Sequence, residues 1–124
     1  MAYIDLLIKI KNAQAAEKPL LKTPATRLDK AVADILAERG FIKKSEVKGK
    51  SYKKYLEIEL EGERKINGLK FLSRPSLRRY SGYREIKSVK SGYGLMVLTT
   101  PKGIMTNDRA RKEKVGGQLL FEIW

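Results

Sequence analysis

The apolar residues of this chain change period near its middle, and that change limits the fold more than any other feature. From Tyr3 the positions Leu6, Leu7, Ile10 and Ala13 recur at helical spacing, which predicts an amphipathic helix ending near Ala16 and broken by Pro19. Leu20 to Thr23 is short and compatible with an extended segment. Thr26 opens a second helix, with Asp29 three residues on in capping-box position, a stripe of Leu28, Val32, Ile35 and Leu36, and a left-handed stop at Gly40. Phe41 to Val47 and Tyr52 to Glu61 read as strands around a Lys48-Gly49-Lys50 turn. In the second of these Leu56, Ile58 and Leu60 alternate with Glu57, Glu59 and Glu61, so one face is buried and the other acidic and wet.

Past the polar stretch Gly62 to Gly68 the helical period largely disappears. Leu69–Ser73, Leu77–Tyr80, Leu95–Thr100 and Gln118–Trp124 read as strands, separated by Pro75, Gly82, Gly92-Tyr93-Gly94 and Gly116-Gly117. Ile86 to Lys90 fits a single helical turn. Thr106, Asn107 and Asp108 compete to cap a short helix reaching Lys114. The expected class is α/β (α+β) in two small lobes: an α-β-α-β-β lobe over 1–62, and a mainly β lobe with a short helix over 63–124.

Charge separates these lobes. The chain carries 27 Lys plus Arg against 14 Asp plus Glu, a net of +13, which costs self-repulsion and points to a polyanionic partner. Residues 1–63 hold 13 basic and 10 acidic groups, whereas residues 64–124 hold 14 basic and 4 acidic groups. The second half is the expected polyanion-binding half.

Catalysis finds little to work with. With no cysteine and no histidine, thiolate chemistry, disulfides and the commonest metal ligand and general base are all missing. The acids of the second half, Glu85, Asp108, Glu113 and Glu122, lack metal-cluster spacing, and Gly92-Tyr93-Gly94 lacks the third glycine of a dinucleotide loop. No enzyme activity and no cofactor are expected. No segment approaches the roughly 20 apolar residues of a membrane span, and Met1 to Ile10 is interrupted by Asp5 and Lys9, so a soluble protein without a secretory leader is expected.

The basic residues of the second half are interleaved with groups that RNA binding uses. Arg74, Arg78, Arg79, Tyr80, Tyr83 and Arg84 crowd one segment, where arginine can grip phosphate and tyrosine can stack on an unpaired base or pack a hairpin. In a strand Arg78 and Tyr80 share one face and Arg79 takes the other. Thr99-Thr100-Pro101-Lys102-Gly103 forms a compact polar loop offering hydroxyls and one cation, and it also fits an ordinary strand-ending turn. Arg109, Arg111, Lys112 and Lys114 follow on the short helix, either as a solvated face or as phosphate contacts.

Several of these segments, in order, resemble the small-subunit ribosomal protein eight family, bacterial type. They are Asp5 through Lys11-Asn12-Ala13, Glu38-Arg39-Gly40-Phe41-Ile42, Ser73-Arg74-Pro75-Ser76-Leu77-Arg78, and Thr99 to Thr106 followed by Arg109-Ala110-Arg111 and Gly116-Gly117. The resemblance implies a cytoplasmic ribosomal protein that binds the central domain of small-subunit ribosomal RNA and aids its assembly. It implies neighbouring small-subunit ribosomal proteins as further partners, and in many bacterial members binding to the protein's own operon messenger RNA. Carried over by position, the RNA-binding residues are Arg74, Arg78, Tyr80, Thr99, Thr100, Pro101, Lys102, Gly103, Arg109, Arg111 and Gln118. Pro101 replaces a serine, Thr99 another, Ser76 a glycine and Gln118 the common glutamate.

Overall fold

The computed structural model describes residues 2–73, 76–87 and 94–124. They divide into two compact units, Met1–Ile66 and Asn67–Trp124.

The first unit follows the order α1 (Ala2–Ala15), β1 (Leu20–Pro24), α2 (Arg27–Glu38), β2 (Lys44–Lys50) and β3 (Lys53–Glu59), its strands forming an antiparallel sheet in the order β1-β3-β2. Both helices form where the apolar spacing predicts them. Tyr3, Leu6, Leu7, Ile10, Val32, Ala33 and Leu36 are buried with Leu56, Ile58 and Leu60, while Leu28 and Ile35 are only half-buried. Each fully buried Leu or Ile contributes about 1.5–3 kcal/mol, so this shared core is the unit's main stabilisation. Thr26 caps α2 by accepting the Asp29 N–H at 3.0 Å, and Gly40 (φ +83°) supplies the left-handed stop. The Asp29 side chain is buried beside this cap, and its Oδ1 has no hydrogen-bond partner among the described residues.

The hairpin differs from the expectation. Lys50 pairs with Lys53, so the turn is Ser51-Tyr52 and not Lys48-Gly49-Lys50, and Phe41 and Ile42 are buried ahead of β2 instead of starting it. Gly49 (φ +101°) stays inside the strand because a Cβ there would overlap the Lys53 carbonyl oxygen. Nor is the outer face simply acidic. Lys48 lies 2.9 Å from Glu57, Lys44 lies 2.6 Å from Glu46, and Lys22 stands over the Tyr55 ring. In the cross-strand register Glu57 lies between Lys22 and Glu46, and Glu59 opposes Lys44. Gln14, overlooked in the sequence, donates to the carbonyls of Phe41 (2.7 Å) and Leu60 (3.5 Å) and accepts from Ile66 N–H (3.1 Å). It thereby satisfies three backbone groups that lie outside the helices and sheet.

The second unit contains β4 (Leu69–Phe71), β5 (Arg79–Ser81), a 3₁₀ turn (Tyr83–Glu85), β6 (Leu95–Thr100), β7 (Gly103–Thr106), α3 (Asn107–Glu113) and β8 (Gly117–Ile123). Its antiparallel sheet runs β4-β8-β6-β7, with β5 beside β4 on the same flank of β8. Strand β7 is additional to the strands expected from the sequence, and Thr106 ends it where α3 begins. A 3₁₀ turn lies at Tyr83–Glu85 and Ile86 itself is extended, while the expected helical turn over Ile86 to Lys90 falls from residue 88 onward outside the described residues. Lys90, Gly92 and Tyr93 lie outside the described residues. Leu77 makes an isolated bridge, so the strand there starts at Arg79.

Candidate nucleic-acid interface

Strand β8 organises this site because β5 and β6 both pair with it near its start. Tyr80 lies opposite Gln118, and Gln118 lies opposite Thr99. Directly opposed residues share a face, so a phenol, an amide and a hydroxyl form one row across three strands, spanning about 10 Å. The next row, Leu119, Leu98 and Met105, faces the other way. Leu98 and Met105 form a core with Ile86 and Ala110, against which Tyr83, Val115 and Leu119 pack. Tyr80 is 69% exposed. The two tyrosines therefore separate: Tyr83 packs the core, and Tyr80 faces outward.

Three devices hold this register. A bulge at Leu120 shifts the β6–β8 pairing, so Val97 opposes Phe121 while Leu98 opposes Leu119. Gly116 and Gly117 have no room for side chains: a Cβ on the first would overlap the Ser81 carbonyl oxygen, and one on the second the Thr99 carbonyl oxygen. The buried Ser73 hydroxyl donates to the Leu119 carbonyl and accepts the Arg79 N–H at 3.0 Å, tying β5 to β8. The same face is closed further along, where Val97, Phe121, Leu95 and Ile123 are buried, and opens only near its Thr99 end.

The polar loop is tighter than expected. Thr99 and Thr100 belong to β6, Gly103 begins β7, and only Pro101-Lys102 turns. Thr100 Oγ1 donates to the Gly103 carbonyl (2.8 Å) and accepts the Lys102 N–H (3.1 Å), so this hydroxyl is committed to its own hairpin. Thr99 is half-buried and its hydroxyl faces the Tyr80–Gln118 row. Pro101 suits the first turn position, where its fixed φ helps and its missing N–H removes no ladder bond. Gly103 (φ +114°) completes the turn.

Not every expected residue joins this row. Arg109 and Arg111 lie on α3, whose Ala110 packs into the core on the opposite side of the sheet from Tyr80. Both are ion-paired within the helix, Arg109 to Glu113 at 2.9 Å and Arg111 to Asp108 at 3.0 Å. Such exposed pairs hold less than about 1 kcal/mol each, so a phosphate could replace them. Arg78 and Lys102 are exposed and have no ion pair among the described residues. Arg74 lies outside the described residues. Asn107, read only as a competitor for the cap, is a buried tie that accepts from Met96 N–H and donates to the Lys87 carbonyl, both at 3.2 Å. Among the described residues no group of three or more His, Cys, Asp or Glu could hold a metal, and no helix is long and apolar enough to cross a membrane.

The Ribosomal protein S8 family model matches residues 3–124. A small ribosomal subunit protein uS8 of Caldicellulosiruptor bescii is 41% identical over 124 residues, an alignment covering 97% of this chain and 94% of that protein. Similar values hold for the uS8 protein of Desulforudis audaxviator, at 42% identity with 97% and 95% covered. The uS8c protein of Guillardia theta is 38% identical over 125 residues, again with 97% and 95% covered. With the family model spanning nearly every residue, and relatives of almost the same length matching from end to end, this chain belongs to the ribosomal protein S8 family.

Proposed function

We propose that this protein, a cytoplasmic constituent of the small ribosomal subunit and not an enzyme, binds the central domain of small-subunit ribosomal RNA directly and aids its assembly. The row Tyr80–Gln118–Thr99 carries this reading. An exposed aromatic ring, an amide with both donor and acceptor, and a hydroxyl stand together where a flat base can stack and be hydrogen-bonded. Arg78 and Lys102, with no ion pair among the described residues, supply positive charge for the flanking phosphates. A regular duplex hides its bases, so the fitting target is an irregular helix with unpaired nucleotides. Arg74 and Gly103 belong to the same segments, and Arg109 and Arg111 reach RNA only beyond the sheet edge, by exchanging carboxylate for phosphate.

Footprinting of the protein on small-subunit RNA tests this directly. Protection is expected on one irregular helix of the central domain, and it should fade in the Tyr80→Ala protein. Protection scattered over the RNA, or unchanged by that substitution, contradicts the proposal. Competition with the protein's own operon messenger asks whether the same surface also serves regulation. A messenger carrying a similar irregular helix should displace the ribosomal fragment.

A further inference from the structure

Far from this row in sequence, the tip of the β2–β3 hairpin gathers more positive charge than the carboxylates beside it neutralise among the described residues. No carboxylate occurs between Glu46 and Glu57, a stretch holding Lys48, Lys50, Lys53 and Lys54. The two flanking glutamates are already engaged, Glu46 by Lys44 at 2.6 Å and Glu57 by Lys48 at 2.9 Å. Lys50, Lys53 and Lys54 have no ion pair among the described residues. Moreover, Lys50 and Lys53 oppose each other directly across the last rung, so their ammonium groups share a face. Like charges in that position destabilise a hairpin. Between them the turn presents Tyr52, 77% exposed.

From this arrangement we infer that the hairpin tip is a second RNA-contact site, in which Lys50 and Lys53 hold backbone phosphates and Tyr52 stacks on an unpaired base or packs on a sugar. A polyanion removes the Lys50–Lys53 repulsion and covers the exposed ring at once. An acidic protein surface fits less well, because the cores of protein–protein interfaces are depleted in lysine. The inference rests on the reading that the protein works bound to RNA, yet the hairpin belongs to the first unit and the Tyr80–Gln118–Thr99 row to the second.

The absence of cysteine makes the two surfaces separately testable. Ser51→Cys and, two residues from Tyr80, Gly82→Cys, where an added side chain meets nothing within 4 Å, each give the full chain a single thiol for a tethered iron that cleaves nearby RNA. With small-subunit ribosomal RNA as the probe, cleavage is expected from both positions, at two different sets of nucleotides. Cleavage from position 82 alone overturns the hairpin contact and leaves the sheet contact standing. Cleavage from position 51 alone does the reverse, and cleavage from neither removes both. A tip facing a protein neighbour in assembled subunits, where the same probes are repeated, gives no RNA cleavage from position 51 and sinks the inference. In parallel, the Lys50→Gln/Lys53→Gln protein should lower the log–log salt slope of RNA binding by about 1.5, since each lost phosphate contact removes roughly 0.7–0.9. It should also melt no lower than the parent, since a repulsive pair has gone. An unchanged slope overturns the phosphate role.

Discussion

The two units carry similar numbers of cations and use them differently. Residues 1–66 hold 15 basic groups and residues 67–124 hold 12, but the first unit sets 10 acids against them and the second only 4. On the first sheet the acids are woven between the lysines, and Lys44 and Lys48 are ion-paired to Glu46 and Glu57. On the open end of the second sheet the row holds a phenol, an amide and a hydroxyl, and the nearby Arg78 and Lys102 have no ion pair among the described residues. A count of cations therefore does not locate a binding face. What locates it is where carboxylates are missing and where the strand register leaves polar groups uncovered.

The strongest way to break this contrast is Gly117→Ala. Its methyl would meet the Thr99 carbonyl and force β8 away from β6, at a cost of about 3 kcal/mol. Thermal unfolding should show the loss, RNA binding should fall with it, and hydrogen exchange in residues 2–66 should stay as in the parent. Protection lost equally in both units would mean that they do not behave independently.

The tyrosine pair sharpens the comparison within the second unit. Tyr80→Ala should weaken binding to an RNA with unpaired bases by about 1–3 kcal/mol, barely affect a plain duplex, and leave the melting temperature unchanged. Tyr83→Ala should do the opposite, costing about 2 kcal/mol of stability without changing the preference between the two RNAs. Matching binding losses for the two variants, measured by titration, would end the distinction between stacking and packing. Smaller still is Thr99→Val, which keeps shape and strand preference but removes the hydroxyl. A loss of about 1 kcal/mol in affinity is expected, with the fold intact by circular dichroism.

The smallest expected effect lies in the first unit. Burial raises the Asp29 carboxyl above its ordinary 3.8, opposed by the Thr26 hydrogen bond and by Lys9, while Asp5 adds to the rise. A carboxyl whose folded pKa is raised favours the protonated fold. Its contribution to stability therefore grows as pH falls through the raised value and is complete below the unfolded one. Asp29→Asn should stabilise the fold near neutral pH by less than about 1 kcal/mol, read by thermal unfolding, and the advantage should shrink on acidification. An advantage constant with pH would show that ionisation of Asp29 is not the cause.

Local chemistry made much of this legible. Helical spacing placed α1 and α2, Thr26 and Gly40 marked the ends of α2, and the alternation of Leu56, Ile58 and Leu60 identified the buried face of β3. These signals work because a period or a cap acts within a few residues. The hairpin turn was misplaced because Gly49 looks like a turn glycine, whereas its open side is needed by the Lys53 backbone across the strand pair. Strand β7 was missed because four residues carry too little period to stand out. The Arg109–Ala110–Arg111 segment matched its motif, yet the packing of Ala110 sets those arginines on the side of the sheet away from Tyr80.

By itself the sequence determined the two helices, the unequal acid content of the halves, the lack of nucleophile–base chemistry, and the residues that carry the family resemblance. Tertiary structure alone decided that Tyr80, Gln118 and Thr99 meet in one row, that Thr100 is spent on its own turn, and that Tyr83 is core while Tyr80 is open. The reason is register. It is set by the Leu120 bulge, the close backbone approach at Gly116 and Gly117, and the Ser73 hydroxyl between strands. These contacts join residues remote in the chain, and neither composition nor periodicity encodes them.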